Sequence, residues 1–291
     1  MKIVVCVKEI IDPSFPFALN QETLIPLAED IFYSANPADL CAAETAVRAQ
    51  EQFGAEVSFL TFGPRRAEKV LRDCLAIGGD RAVRVWEEHF DVGSSVKPYI
   101  LAKAVVHFAP DLVLCGNRSL DEGSGQTPPA LAEYLGFNQV TGVTDLEFSA
   151  DRTKVIATRK LERGRRESIE CPLPAVLALE VGSQPARYAG LPRLLESLRA
   201  QVSLLDGTDL GVDPAELERL ASMRTLVRRS LPRPRPKKTF AMDSGLSAEQ
   251  RMELLMSGGL RQSKSDLLEG SPQDLASRLA GILEEKLCKR S

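Results

Sequence analysis

The feature that most constrains this chain is an alternation. Over roughly the first half of the sequence, short apolar runs rich in β-branched residues take turns with stretches of helical period. Lys2–Val7, Val57–Phe62, Arg81–Val85 and Asp111–Cys115 read as strands. Asn36 and Pro37 open a helix that runs to about Gln52, with Asn36 as N-cap, Pro37 at the first helical position and Gly54 as the stop. Ala42, Ala43, Ala46 and Val47 give that helix a narrow face of small residues. Gly63 and Pro64 open a second helix, with Val70, Leu71, Cys74 and Leu75 on one face, and residues 94–108 form a third. Strands and helices that alternate in this way predict a parallel sheet covered on both faces. The expected fold class is therefore α/β: a mostly parallel, doubly wound sheet with helices on both faces, an antiparallel β extension and a C-terminal helical arm.

Two regions break the alternation. Residues 12–35 hold three prolines and little periodicity, which predicts a long excursion with a short hairpin. After residue 143, Asp145–Phe148, Lys154–Lys160, Ser168–Cys171 and Ala175–Glu180 predict a meander of antiparallel strands attached to the main sheet. Residues 185–204 are mixed and partly helical, and 212–229 form an exposed helix. The stretch SLPRPRPKKTF at 230–240 cannot build a core and reads as an extended linker. Helices are expected at 247–256 and 272–288. Ser271 caps the second, and Leu275, Leu279, Ile282, Leu283 and Leu287 line one face of it. That stripe needs a partner surface, in its own domain or on another subunit.

Composition removes several function classes. With 291 residues the chain has room for one large domain and extensions, and a formal charge of -3 does not suit a nucleic-acid binder. No apolar run reaches the roughly 18 residues of a membrane span. Residues 1–7 alternate and run into Lys8 and Glu9, so they read as a strand rather than a signal peptide, and a cytoplasmic location is expected. The six cysteines form no CxxC pair and read as small buried residues, so no metal site is expected. His107 reads as a helix-end residue; with His89 it completes the histidines, so a histidine-based catalytic centre is not expected.

The most informative segment is GNRSLDEGSGQTPPALAEYLG at 116–136, a polar, glycine-bearing loop between a strand and a helix. In open α/β sheets ligands bind beyond the carboxyl ends of the strands. The loops there are Cys6–Glu9, Asn36–Asp39, Phe62–Pro64 and 116–127. Gly116, Gly123 and Gly125 let backbone N–H groups approach an anion, and Gln126 and Thr127 can donate to phosphate oxygens at a helix start. This is phosphate-binding chemistry without a lysine, and it matches neither the P-loop nor GxGxxG. An ordinary turn before a capped helix is the plainer alternative. Asp121 and Glu122 can bind ribose hydroxyls or simply be solvated. No nucleophile or general acid–base pair stands out, which favours a binding or carrier role over a self-sufficient enzyme.

Five ordered motifs over about residues 1–215 resemble the beta subunit of electron transfer flavoproteins, in the adenine-nucleotide alpha-hydrolase-like superfamily: MKIVVCVKEIID, NPADLCAAETAVR, LRDCLAIGGDRAVRV, GNRSLDEGSGQT and CPLPAVLALEVGSQPARYAGLPRLLESL. The resemblance implies a nucleotide-binding α/β domain at 1–210 and an extended C-terminal arm at 211–291 that packs on an alpha subunit. It implies a heterodimer whose FAD is held by or shared with the alpha subunit, and a second FAD or an AMP in the beta-subunit site. The nucleotide contacts would be Cys6, Asn36, Pro37, Ala38, Asp39, Phe62 and the loop Gly116, Asn117, Arg118, Ser119, Leu120, Asp121, Glu122, Gly123, Ser124, Gly125, Gln126 and Thr127. Segment 182–203 would dock partner dehydrogenases through Arg187, Tyr188, Leu191 and Pro192, with Leu191 as anchor. Glu167 would pair with an alpha-subunit arginine in one domain orientation. The implied role is an electron carrier between dehydrogenases, such as the acyl-CoA dehydrogenases of fatty acid β-oxidation, and a quinone-linked, NAD-linked or iron–sulfur oxidoreductase. Some members bifurcate electrons. The run PPALAEYLG and the long arm resemble those members, whereas DEGSGQ departs from their DGDTAQ. Gly125 replaces the asparagine of the common NQT, and RLLESLRAQ replaces the usual lysine run of the docking segment. The alternative reading is a stand-alone adenine-nucleotide-sensing module of the same superfamily.

Overall fold

The computed structural model describes residues 1–27, 31–88, 90, 95–223, 230–231, 247–249, 251–252 and 270–288. The chain divides into two units, Met1–Leu231 and Pro232–Ser291, so the first unit continues past residue 210. In chain order the first unit holds β1 (Lys2–Cys6), β2 (Glu9–Ile11), β3 (Tyr33–Ala35), α1 (Pro37–Phe53), β4 (Glu56–Phe62), α2 (Glu68–Ile77), β5 (Arg81–Val85), α3 (Lys97–Val106), β6 (Leu112–Gly116), α4 (Thr127–Leu135), β7 (Asn138–Phe148), β8 (Lys154–Lys160), β9 (Arg166–Pro172), β10 (Ala175–Leu179), α5 (Leu191–Arg199), β11 (Ser203–Leu205) and α6 (Pro214–Ser222). The second unit holds α7 (Pro272–Cys288). Among the described residues no helix is long and apolar enough to cross a membrane.

The main sheet has nine strands in the order β11-β5-β4-β1-β6-β10-β7-β8-β9. All pairings from β11 to β7 are parallel, and β8 and β9 join antiparallel at one edge. The expected α/β class with an antiparallel extension is what forms. On one face, Ala42, Ala43, Ala46 and Val47 of α1 and Val70, Leu71 and Cys74 of α2 pack on Val5, Phe59, Leu114 and Leu177. On the other, Ile100 and Val105 of α3, Leu131 of α4 and Leu220 of α6 pack on Val4, Leu60, Val113 and Val176. The small side chains of α1 let that helix lie close to the sheet. The antiparallel pair β2–β3 closes the base of the excursion rather than lying within it, and inside the excursion the pairing among the described residues is the single antiparallel bridge Leu19–Pro26.

Three local expectations change. Ala175–Leu179 is not the last strand of a meander: it inserts in parallel between β6 and β7. All five of its residues are buried, so AVLAL is the continuous apolar run of a strand covered on both faces. The first strand of the meander starts at Asn138, earlier than its alternation suggests. Asn36 precedes α1 as expected, and its carbonyl accepts the N–H of Asp39 and of Leu40, yet its side chain makes no capping bond. The expected helix at 247–256 and the linker at 230–240 lie mostly outside the described residues, and residues 224–229 and His89 lie wholly outside them. In α7 the Ser271 hydroxyl accepts the N–H of Asp274 at 3.3 Å, a working cap. Leu279 and Ile282 of α7 are exposed, and Leu283 and Leu287 lie beyond the described side chains.

The central placement of β10 has a measurable consequence. Leu177 and Val176 point to opposite faces, and both are buried. Leu177→Ala is expected to lower unfolding free energy by about 2–5 kcal/mol and Val176→Ala by about 1–3 kcal/mol in urea titrations. A half-buried meander strand would show a large loss at only one of the two.

Candidate functional site

The strand order reverses at β1, which has β4 on one side and β6 on the other. A crevice is expected beyond the carboxyl ends of the strands at such a point. A cavity of about 390 Å³ opens there. Its floor is Cys6 and Cys115, at the ends of β1 and β6. The Cys115 thiol is pushed well up, first by its hydrogen bond with Cys6 and then by burial, so it stays protonated and is no nucleophile. One wall is aromatic. Phe62, at the end of β4, meets the Trp86 ring edge-on at 5.5 Å and the Phe90 ring near-parallel at 6.0 Å. The opposite wall is the loop after β6.

Two residues just before and within the first turn of α1 shape that loop. The Asp39 carboxylate accepts the Lys8 N–H and the Gly116 N–H, each at 2.7 Å. The Asn36 amide donates to the Arg118 carbonyl at 3.2 Å and accepts the Leu120 N–H at 3.2 Å. Both side chains are buried. Gly116 lies so close that a Cβ there would meet the Asp39 carboxylate and stand 2.7 Å from the Ala38 Cβ. Only glycine permits this approach.

Past the bracket the backbone N–H groups of Ser124, Gly125, Gln126 and Thr127 have no acceptor among the described residues. Gly125 sits at φ +64°, and a Cβ on it would press on Arg118 and on the Asn117 carbonyl, both at 3.3 Å. Successive free amides on a loop whose Ser124, Gly125 and Thr127 line the cavity suit an anion. The helix that follows adds less than its N-terminus suggests, because Pro128 and Pro129 of α4 carry no N–H. The amides of the loop, rather than the first turn of the helix, are the available donors.

The site is not without lysine. Lys8 Nζ lies 2.7 Å from the Asp121 carboxylate and 3.3 Å from the Ser119 hydroxyl, and Lys97 Nζ lies 3.6 Å from Glu122. Arg118 has no ion-pair partner among the described residues. At the far rim Arg66 pairs with Glu9 at 2.9 Å and covers the Tyr33 ring at 4.3 Å. Burial works against the Asp121 carboxylate, but the bonds from Lys8 and Ser119 outweigh it and hold its pKa below the ordinary value. The site thus combines an aromatic slot, a run of amide donors and several cations. That donor set fits an adenine base with phosphate.

Of the expected contacts, Cys6, Asn36, Asp39, Phe62, Gly116, Asn117, Arg118, Ser119, Asp121, Glu122, Ser124, Gly125 and Thr127 line the cavity. Pro37, Ala38, Leu120, Gly123 and Gln126 do not. Ala38 is buried behind Gly116, Leu120 points to solvent, and the Gly123 N–H bonds the Ser119 carbonyl at 3.0 Å. Asn117 lines the cavity yet donates to Glu180 at 2.6 Å. Sequence reasoning missed Tyr33, Arg66, Trp86, Phe90 and Lys97. The one available signal was Lys97 itself, a cation at a helix N-terminus, where positive charge is unfavourable. Elsewhere, Glu167 on β9 pairs with Arg159 across the strand pair at 2.7 Å. Tyr188 and Leu191 are exposed, at 102% and 66%.

These features define a doubly wound α/β protein with a crevice at the switch point of its sheet. Residues 27–209 match the family described as "Electron transfer flavoprotein domain". The chain is 29% identical over 258 residues to the electron transfer flavoprotein subunit beta of Methylophilus methylotrophus, covering 88% of this chain and 97% of that one. It is 34% identical over 225 residues to the subunit of the same name from Bacillus subtilis (strain 168), covering 76% and 83%. It is 28% identical over 257 residues to Protein FixA of Sinorhizobium fredii, covering 86% and 90%. The chain belongs to the electron transfer flavoprotein family, among the electron carriers of the beta-subunit and FixA type.

The burial of the Asp39 carboxylate predicts a pH dependence for the site. Burial raises its pKa from 3.8 to about 6, against the pull of the Lys8 and Gly116 N–H bonds. A raised folded pKa means that ionised Asp39 costs folding stability above about pH 6, and that this cost vanishes below the unfolded value of 3.8. The site responds in the opposite sense, since protonation takes the acceptor from one of two buried amides. AMP affinity is expected to fall as pH drops through about 6, more steeply in wild type than in Asp39→Asn. The variant should already bind about tenfold more weakly at neutral pH, having lost one buried bond. The phosphate of AMP titrates equally in both proteins, so equal slopes in calorimetric titrations would remove Asp39 from the binding geometry.

Proposed function

We propose that this chain is the beta subunit of a heterodimeric electron carrier and that its cavity holds an adenine nucleotide. The observation that carries the reading is the run of free amides from Ser124 to Thr127 beside an aromatic slot at the switch point of the sheet. The four amides from Ser124 to Thr127 would hold the phosphate, with Lys8, Lys97 and Arg118 as counter-charges. Phe62 and its aromatic neighbours would face the base. The nucleotide would supply either a structural anchor, as AMP, or a redox group, as FAD. A further FAD would be held by or shared with an alpha-type subunit.

FAD is the nucleotide favoured here. Lys97 adds a second cation beyond Lys8 for a second phosphate, and the run PPALAEYLG resembles the electron-bifurcating members. Electrons would pass between flavin dehydrogenases, such as acyl-CoA dehydrogenases, and a quinone-linked, NAD-linked or iron–sulfur oxidoreductase. The docking segment would be 182–203, which holds Arg187, Tyr188, Leu191 and Pro192. In α5 only Ser197 is buried, while Leu191, Leu194, Leu195 and Leu198 face solvent. An apolar stripe turned outward suits a protein partner. The exposed Leu279 and Ile282 of α7 support its reading as an arm for the alpha subunit.

The test is a count on the co-purified heterodimer. After denaturation, two FAD and no AMP per dimer are expected. One FAD with one AMP would replace the second flavin by a structural nucleotide. Gly125→Val, strained at its positive φ and filling the cradle, is expected to empty the site while leaving the alpha-held FAD. Full nucleotide content in that variant would place the nucleotide elsewhere.

A further inference from the structure

Arg187 lies next to the most exposed tyrosine of the described chain, yet its own side chain turns inward. Its Nε is 2.9 Å from Glu44 Oε2 and its Nη2 is 3.0 Å from Glu44 Oε1. The same guanidinium reaches Glu51, with Nη2 2.9 Å from Oε2. The Arg187 backbone N–H also points to Glu44, at 3.2 Å. Glu44 is 1% exposed and shares its carboxylate with Arg48 at 2.8 Å. Burial disfavours the Glu44 charge, but the bonds from Arg187 and Arg48 overcome it and keep the group ionised.

Both carboxylates belong to α1, the helix whose first turn contributes Asp39 to the bracket of the cavity loop. A planar fork held by two carboxylates on one face of a helix fixes position and direction together. Immediately beyond it Tyr188 is fully exposed and Leu191 starts α5. Nothing else between Arg187 and α5 donates or accepts a side-chain hydrogen bond among the described residues.

We propose that Arg187 is the positioning residue of the docking segment: it touches no partner, and its clamp on Glu44 and Glu51 sets where Tyr188 and Leu191 are presented. The proposal rests on the reading of this segment as the docking surface. It gives the segment a fixed relation to the nucleotide cavity, because one rigid helix carries both the clamp and part of the bracket.

The experiment uses the full chain co-expressed with its alpha-type subunit, as wild type, Arg187→Ala, Arg187→Lys and Leu191→Ala. Amide hydrogen exchange is followed in residues 188–199 and, for reference, in β1 and β6. Electron transfer from an acyl-CoA dehydrogenase is measured as KM and kcat. In Arg187→Ala the segment is expected to exchange about tenfold faster or more, with the reference strands unchanged, as for a lost charge-assisted clamp. KM for the dehydrogenase should rise with kcat unchanged. Arg187→Lys should fall between, since an ammonium cannot serve both carboxylates as a fork. Leu191→Ala should raise KM without changing exchange. The proposal is overturned if residues 188–199 stay as protected in Arg187→Ala as in wild type, or if KM rises in Leu191→Ala alone. If neither variant changes KM while Arg187→Ala speeds exchange, the docking reading itself has failed, and the positioning role falls with it.

Discussion

Asn36 and Asp39, at the start of α1, direct their side-chain hydrogen bonds away from their own helix. They satisfy backbone groups of two loops that leave the sheet where its ladder of hydrogen bonds ends. A buried N–H left without an acceptor costs about 1–3 kcal/mol, so these bonds decide where the loops after β1 and β6 can lie. Asp39 ties Lys8 to Gly116, and Asn36 ties Arg118 and Leu120 to the helix. With those four points fixed, the next amides, from Ser124 to Thr127, have no internal partner and stand ready for an anion. Binding then needs little rearrangement of the backbone, which lowers its entropic cost.

The electrostatics follow from the same arrangement. The bracket brings Lys8 to the mouth of the cavity, where Asp121 and Glu122 neutralise it. Lys97 approaches Glu122 from α3. A phosphate entering the cavity, as proposed, would meet cations already drawn to one side and compete with carboxylates of the loop itself. The aromatic wall contributes differently. Trp86 and Phe90 come from the chain just after β5 and confine a flat, apolar slot against Phe62. The polar and apolar halves of the site are thus built by different strands and meet only because β1 sits between β4 and β6.

Much of this was legible in the sequence. The alternation of strands and helices gave the parallel core, the small face of α1 was correctly oriented, and the glycine-bearing loop fell at the cavity. What escaped was non-local. AVLAL is continuously apolar, but its nearness to the meander suggested an antiparallel neighbour. Its burial on both faces requires the central parallel position it takes. Asn36 looked like a capping residue because its type and place fit one. Nothing in the local sequence shows that Arg118 and Leu120, more than eighty residues on, claim its amide. Lys8 and Lys97 converge only through the sheet order. The prolines of TPPALAEYL were visible, and their missing N–H groups weaken the expected helix N-terminus, yet the free loop amides that replace it depend on positive φ at Gly125. Arg187 was expected to dock a partner through the family resemblance alone; its carboxylate partners lie on α1, far off in the sequence.

The central claim is that the bracket of Asn36 and Asp39 holds the loop 116–127 in its binding form and that an adenine nucleotide occupies the cavity beside it. The most direct measurement is a crystal structure of the heterodimer purified with its own nucleotides. It should show phosphate oxygens on the amides of Ser124 to Thr127, the base against Phe62, and the bonds of Asn36 to Arg118 and Leu120 unchanged. A nucleotide bound away from this cavity, or a loop rebuilt with the bracket broken, would contradict the account.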